Sequence, residues 1–307
     1  MKKARFLVSL TTGDNDYQIE QAAAADETAR RLGVDLQIMH AGNDAINQSQ
    51  QLLKVIQSRN EAHPDAIIFE PAGGTALPQV ARAAAQAGIG WVVLNRDVEY
   101  VADLRRTCHA PIFAITADHE EIGRIQGRQL VALLPKGGSV LLVQGPSESS
   151  AARQRTAGMY ETKSADIEVK TLRGQWTEAS AYRAVSSWLR LSTSQQARVD
   201  VIAAQDDSMA VGAKKAFQDH TSGTARDLWL GLPFIGCDGQ PKTGQAWVRS
   251  GLLAATVVVP ANTGLALEML VKALQSGTQP AERTLTRVES FPALETLAAG
   301  RARGAGA

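Results

Sequence analysis

Asn15, Asn95, Arg96, Arg153, Asp206 and Asp238 each stand in, or just after, a short polar cluster that follows an apolar run of this 307-residue chain. The clusters are Thr12-Gly13-Asp14-Asn15-Asp16-Tyr17, Glu70-Pro71-Ala72-Gly73-Gly74, Asn95-Arg96-Asp97, Gly145-Pro146-Ser147-Glu148-Ser149-Ser150, Gln205-Asp206-Asp207-Ser208 and Cys237-Asp238-Gly239. Carboxylates and carboxamides accept hydrogen bonds from hydroxyls, and arginines donate in a fixed fork. The set has rigid donors and acceptors but no poised nucleophile. It suits holding a polyhydroxylated molecule, not reacting with it.

Other chemistries do not fit. The turn after the first apolar run has carboxylates where a dinucleotide fingerprint would put glycines against a pyrophosphate. The Gly145–Ser150 segment lacks the second glycine and the Lys-Ser/Thr pair of a phosphate loop. No G-x-S-x-G elbow occurs. The histidines (His40, His63, His109, His119 and His220) form no ligand-spaced pair, so no zinc site is expected. His119, beside Glu120 and Glu121, reads as a solvated helix start.

The elements that must position these residues alternate along the chain. Apolar runs such as Phe6–Leu10, Trp91–Leu94, Ser139–Val143 and Val199–Ala203 read as strands covered on both faces. Between them lie helical stripes, for example Ile19, Ala22, Ala25, Ala29 and Leu32, closed by Gly33. This is an α/β arrangement with parallel sheets, whose strand-to-helix turns gather at the carboxyl edge where ligands bind. The pattern pauses from Val98 to Pro111 and then resumes, giving two sets of similar size. The Gly-, Ala- and Arg-rich tail from Ala298 is expected to be disordered.

Composition bounds the partners. Hydrophobic residues make up 44%, charged residues 21%, and the net charge is +1, so neither nucleic acid nor an anionic membrane is indicated. No apolar stretch is long enough to span a bilayer. Lys2, Lys3 and Arg5 hint at a signal peptide, but Phe6–Leu10 is too short for its apolar core. Cys108 and Cys237 are too few for a disulfide framework and read as idle thiols.

Asn15-Asp16-Tyr17, Leu94-Asn95-Arg96-Asp97, Ser150-Ala151-Ala152-Arg153-Gln154-Arg155, Ala204-Gln205-Asp206-Asp207-Ser208-Met209-Ala210, Gly236-Cys237-Asp238-Gly239 and Leu253-Ala254-Ala255-Thr256-Val257 follow one another in a specific order. Through them the chain resembles the type I periplasmic sugar-binding proteins, the ribose- and galactose-binding class that shares its ligand core with the lactose-repressor family. The resemblance implies two doubly wound lobes joined by a three-strand hinge, with the ligand cleft between them. One lobe would be residues 1–115 plus 260–286, the other 116–259 plus 287–307. It implies ligand contacts at Asn15, Tyr17, Asn95, Arg96, Arg153, Trp176, Asp206 and Asp238, with the two aromatic rings against the apolar faces of a sugar.

At three positions the chain departs from the ribose-type pattern: Asp206 replaces Asn, Val259 replaces Gln, and Gln18 replaces a second aromatic. Another pentose, a hexose, a cyclitol or a ligand with a cationic group is therefore expected in place of ribose. The function implied is non-catalytic binding of a monosaccharide or polyol, without cofactor or metal. A monomer in the periplasm would deliver it to an ABC-type transporter permease or a chemoreceptor. The alternative is a sensor domain, cytoplasmic or fused, whose closure signals to a partner. Plainer readings stand beside these: Asp206 and Asp238 could be turn or helix caps, Arg96 could pair with Asp97 on the surface, and Trp176 could pack in the core. Arg155 reads as an exposed helix arginine, and Trp91, Trp229 and Trp247 as packing residues.

Overall fold

Strands apolar on both faces can be buried only if helices cover each side, and the chain supplies them in alternation. The computed structural model describes residues 3–60, 62–73, 76–96, 98–195 and 197–304. Gly74 and Asp97 of the polar clusters lie outside them. The chain forms two units, Met1–Ala117 with Ala261–Thr286, and Asp118–Pro260 with Arg287–Ala307. It therefore passes from one unit to the other after Ala117, after Pro260 and after Thr286.

The first unit runs β1 (Arg5–Leu10), α1 (Asp16–Leu32), β2 (Asp35–His40), α2 (Ala45–Ile56), β3 (Ala66–Phe69), α3 (Pro78–Gln86), β4 (Gly90–Leu94), α4 (Tyr100–Thr107) and β5 (Ile112–Ala117). In the second unit follow α5 (His119–Leu133), β6 (Gly138–Gln144), α6 (Ser150–Thr162), β7 (Ile167–Arg173), α7 (Glu178–Leu189), α8 (Ser192–Gln195), β8 (Val201–Ala204), α9 (Asp207–His220), α10 (Gly223–Leu230), β9 (Phe234–Ile235), α11 (Gly244–Arg249) and β10 (Thr256–Val258). The chain returns to the first unit for α12 (Thr263–Ser276) and β11 (Arg283–Thr286), and ends in the second with β12 (Glu289–Phe291) and α13 (Leu294–Gly304).

The first unit holds a parallel sheet in the order β11-β5-β4-β3-β1-β2. One face packs Leu7, Ile67, Phe69 and Trp91 against Leu52, Val80 and Leu104 from α2, α3 and α4. The other packs Phe6, Val8, Ile68 and Phe113 against Ala25, Ala29, Leu267 and Leu270 from α1 and α12. The second unit repeats this plan with the parallel order β7-β6-β8-β9 and an antiparallel β10-β12 pair. Val185, Trp188 and Phe217 from α7 and α9 cover one face, and Leu130, Leu133 and Met159 from α5 and α6 cover the other. Each unit is thus doubly wound, and each fully buried Leu, Ile or Phe contributes roughly 1.5–3 kcal/mol.

Two expectations change. The pause from Val98 contains α4, whose Val101 and Leu104 are buried in the first core. The tail is not irregular as far as it is described: α13 continues to Gly304, and its Leu297 joins the second core. Trp91 and Trp229 do pack: Trp91 lies 4.5 Å from Phe69 and Trp229 stacks 4.6 Å from Phe217, between ring centroids.

Both cysteines are free thiols. Cys237 is fully buried, and loss of hydration pushes its thiol well above the usual range. Cys108 is half-buried, with its thiol toward the Ala85 carbonyl. Iodoacetamide at pH 8 is therefore expected to label Cys108 in the folded protein and Cys237 only after denaturation. Peptide mapping of the alkylated protein checks this; equal labelling of both in the folded state would contradict the burial of Cys237.

Candidate functional site

In each unit the strand order reverses beside the first strand of its series, β1 between β2 and β3, and β6 between β7 and β8. The turns at the carboxyl ends of these strands are where an open α/β sheet binds ligands. In the first unit they deliver Asn15, Tyr17, Glu70, Asn95 and Arg96; in the second, Trp176, Asp206 and Asp238, with Arg155 one turn into α6.

In the first unit Asn15 caps α1, its Oδ1 accepting from the Gln18 backbone N–H at 3.2 Å. That cap fixes the helix start and turns Tyr17 inward, leaving it 6% exposed. The Tyr17 hydroxyl accepts from Asn95 Nδ2 at 3.0 Å and from Gln21 Nε2 at 3.2 Å. Asn95 Nδ2 also donates to Glu70 Oε2 at 3.0 Å, and its Oδ1 accepts from Asn262 Nδ2 at 2.8 Å. Asn262 sits just beyond Pro260, where the chain re-enters this unit, and the next residue, Thr263, bonds Gln21 through its backbone N–H and its hydroxyl. Arg96 donates from Nη1 to the Asn95 carbonyl at 2.7 Å. Gln48 holds the Glu70 turn, donating to the Glu70 carbonyl at 2.8 Å and accepting from Ala72 N–H at 2.8 Å.

In the second unit a buried arginine is the centre. Arg155 is 6% exposed. It donates to the Gln205 carbonyl and to His119 Nδ1, the latter at 3.4 Å. Its guanidinium lies 3.7 Å from Asp238 Oδ1 and 5.5 Å from the centroid of the Trp176 ring. Asp206 caps α9, accepting from Met209 N–H at 2.6 Å. Asp207 accepts from Gly239 N–H at 2.7 Å and from the Thr256 hydroxyl, which ties the Asp238 turn to the start of α9. Trp176 packs against Gly145, where a Cβ would come within 2.4 Å of the ring.

Among the described residues five non-glycine side chains sit at positive φ: Asn43 (58°), Leu77 (49°), Asn95 (56°), Trp176 (61°) and Asp238 (105°). Three of these five are expected contact residues. Left-handed backbone costs an L residue about 1–3 kcal/mol, and such strain collects where function requires one direction of a side chain. That coincidence makes both edges candidate sites.

The chain matches the periplasmic binding protein domain over residues 6–279. The chain belongs to the type I periplasmic sugar-binding protein family. Relatives in this family include the "Putative rhizopine-binding protein" of Rhizobium meliloti, 31% identical over 68% of this chain and 66% of the relative's length. The ribose import binding protein of Escherichia coli K12 is 26% identical over 84% of this chain and 79% of its own. A galactofuranose-binding protein of solved structure shares the fold at a TM-score of 0.79, with 22% identity over 98% of both chains.

For this periplasmic sugar-binding protein, the expectations for Arg155 and His119 need correction. Arg155 is not an exposed helix arginine but is buried against Gln205, His119 and Asp238. Arg153 is exposed, donating to the carbonyls of Ser147 and Glu148 in its own turn, so it is not brought to the cluster. His119 is not solvated either: it is 5% exposed and accepts from Arg155. Asp206 fills the plainer role of helix cap at the same time as it stands on the edge. Trp176 packs on Gly145 and Arg155, while Trp188 takes Phe217 and Trp229 as its ring partners. The sequence reading overlooked Glu70, Gln21 and Asp207. Glu70 had a signal, being the first polar residue after β3; Gln21 had only its place four residues beyond Tyr17 on α1.

Proposed function

We propose that the protein binds a monosaccharide or related polyol in the periplasm, without transforming it, and presents it to an ABC-type transporter. Each unit acts as one lobe, and a single ligand held by both carboxyl edges favours the closed arrangement by binding it better than the open one. Residues 260 and 261 and the other two passages would then serve as the hinge. The observation that supports this reading most is that each unit, taken by itself, gathers strained, buried donors and acceptors and an aromatic ring at its carboxyl edge.

A site built to bond hydroxyls rejects analogues lacking them, because its buried groups would be left unpaired. Relatives are named for ribose, allose and ribose import, which sets the first probes. Mass spectrometry of any small molecule released on denaturing the purified protein, followed by titration calorimetry with D-ribose, D-allose, D-glucose and myo-inositol, tests the proposal. One polyol is expected to bind with Kd of about 1 µM or tighter, equivalent to roughly −8 kcal/mol. A protein that releases no polyol and binds none of a wider sugar panel would refute it.

A further inference from the structure

Glu70 is a buried carboxylate on the first unit's edge, and among the described residues no cation pairs with it. It is 5% exposed. Its carboxylate accepts from Asn95 Nδ2 at 3.0 Å and from Gln21 Nε2 at 3.5 Å, both on Oε2, and both donors are neutral carboxamides. Oε1 has no hydrogen-bond partner, and no lysine, arginine or histidine nitrogen lies within 4.0 Å of it, among the described residues. On the second unit's edge Asp206 is taken up as the cap of α9. Asp238 has Arg155, and Asp207 takes a backbone N–H and a hydroxyl. Arg96, on the same edge as Glu70, donates from Nη1 to the Asn95 carbonyl.

A buried carboxylate without a cation is costly unless a partner arrives with the opposite charge. A hydroxyl could fill the second oxygen but would leave the charge uncompensated. An ammonium group would do both, with three donors on one centre. The neighbours already fix where such a group would sit. The Asn95 amide is locked by Asn262 on one side and directs its N–H toward Glu70 on the other. An aspartate at position 95 would face Glu70 with a second negative charge, so the carboxamide there isolates a single carboxylate.

We propose that the ligand is an amino-substituted polyol, a hydroxylated ring bearing one ammonium group, and that Glu70 receives that ammonium. The inference rests on the sugar-binding reading and narrows its ligand class. Its test is titration calorimetry of the full chain with matched probes: D-glucose, 2-amino-2-deoxy-D-glucose and its N-acetyl derivative, and myo-inositol against an amino-deoxy-inositol. In one of the two series the amine is expected to bind at least about tenfold more tightly than its neutral parent, and the series that does so distinguishes an amino sugar from an amino cyclitol. Glu70→Gln keeps the shape and one acceptor, so it should erase that preference, read as the ratio of amine to neutral-parent affinity within the variant, while leaving the melting temperature nearly unchanged. N-acetylation should act like the mutation from the ligand side. A neutral parent bound as tightly as its amine, with Glu70→Gln without effect, overturns the inference and leaves sugar binding intact. Failure of every probe, neutral and amino, overturns both.

Discussion

Arg155→Ala is expected to abolish ligand binding and to destabilise the protein by about 3–5 kcal/mol, the usual cost of removing one member of a buried ion pair. The side chains of Arg155 and Asp238 are 7% and 8% exposed, so little solvent is available to stand in for the lost guanidinium. Asp238 would keep its left-handed backbone and its charge but lose its counter-ion. Trp176 would lose the planar cation 5.5 Å from its ring, a contact of about 1–2 kcal/mol when desolvated. Arg155→Lys restores the charge without the fork, and should recover part of the stability and little of the binding. Arg153→Ala two residues earlier is the control: an exposed side chain bonded only to carbonyls of its own turn should change stability by less than about 0.5 kcal/mol. Chemical denaturation and calorimetry on the three variants decide the matter. Binding lost in Arg153→Ala and kept in Arg155→Ala would reverse the assignment of the two arginines.

Gly158→Ala should be as damaging through backbone alone. A Cβ at Gly158 would stand 2.0 Å from the Glu120 carbonyl oxygen and 2.9 Å from Arg124 N, both main-chain atoms of α5. The contact is reciprocal, since a Cβ at Gly123 would stand 2.0 Å from the carbonyl oxygen of Arg155. No rotamer change relieves a clash between backbones, so α5 and α6 must separate. We expect a loss of about 3 kcal/mol or more, at the upper end of overpacking. Because α6 carries Arg155, ligand affinity should fall as well, even though Gly158 is not expected to touch ligand. Gly13→Ala is the matching control: its Cβ would meet nothing closer than 3.7 Å, at the His40 ring, and its backbone is not left-handed. A thermal melt of Gly158→Ala that coincides with the wild type would mean the helices are not held this close.

The contrast between Arg153 and Arg155 also shows where sequence reading stops. The strands were legible because their apolar runs leave few alternatives, and the turn residues because each follows such a run. Which arginine of Arg153-Gln154-Arg155 faces the edge was not legible. Two positions on a helix point about 200° apart, and what selects between them is the roll of α6, set by Gly123 and Gly158 against α5. The glycine spacing of that contact lies on two helices far apart in sequence. Likewise α4 spans only eight residues and becomes a helix by packing Val101 and Leu104 on a finished core. Glu70 was visible as a residue but not as a charge without a counter-ion, since that depends on where every other cation goes.

The hydrogen bond from Asn262 to Asn95 has an evolutionary consequence. One partner is an expected ligand contact, and the other begins the segment by which the chain re-enters its first unit. A lineage that alters Asn95 to admit a different molecule must also alter the anchoring of that segment. Under the hinge and contact roles proposed above, which molecule is captured and how long it is retained would be inherited together.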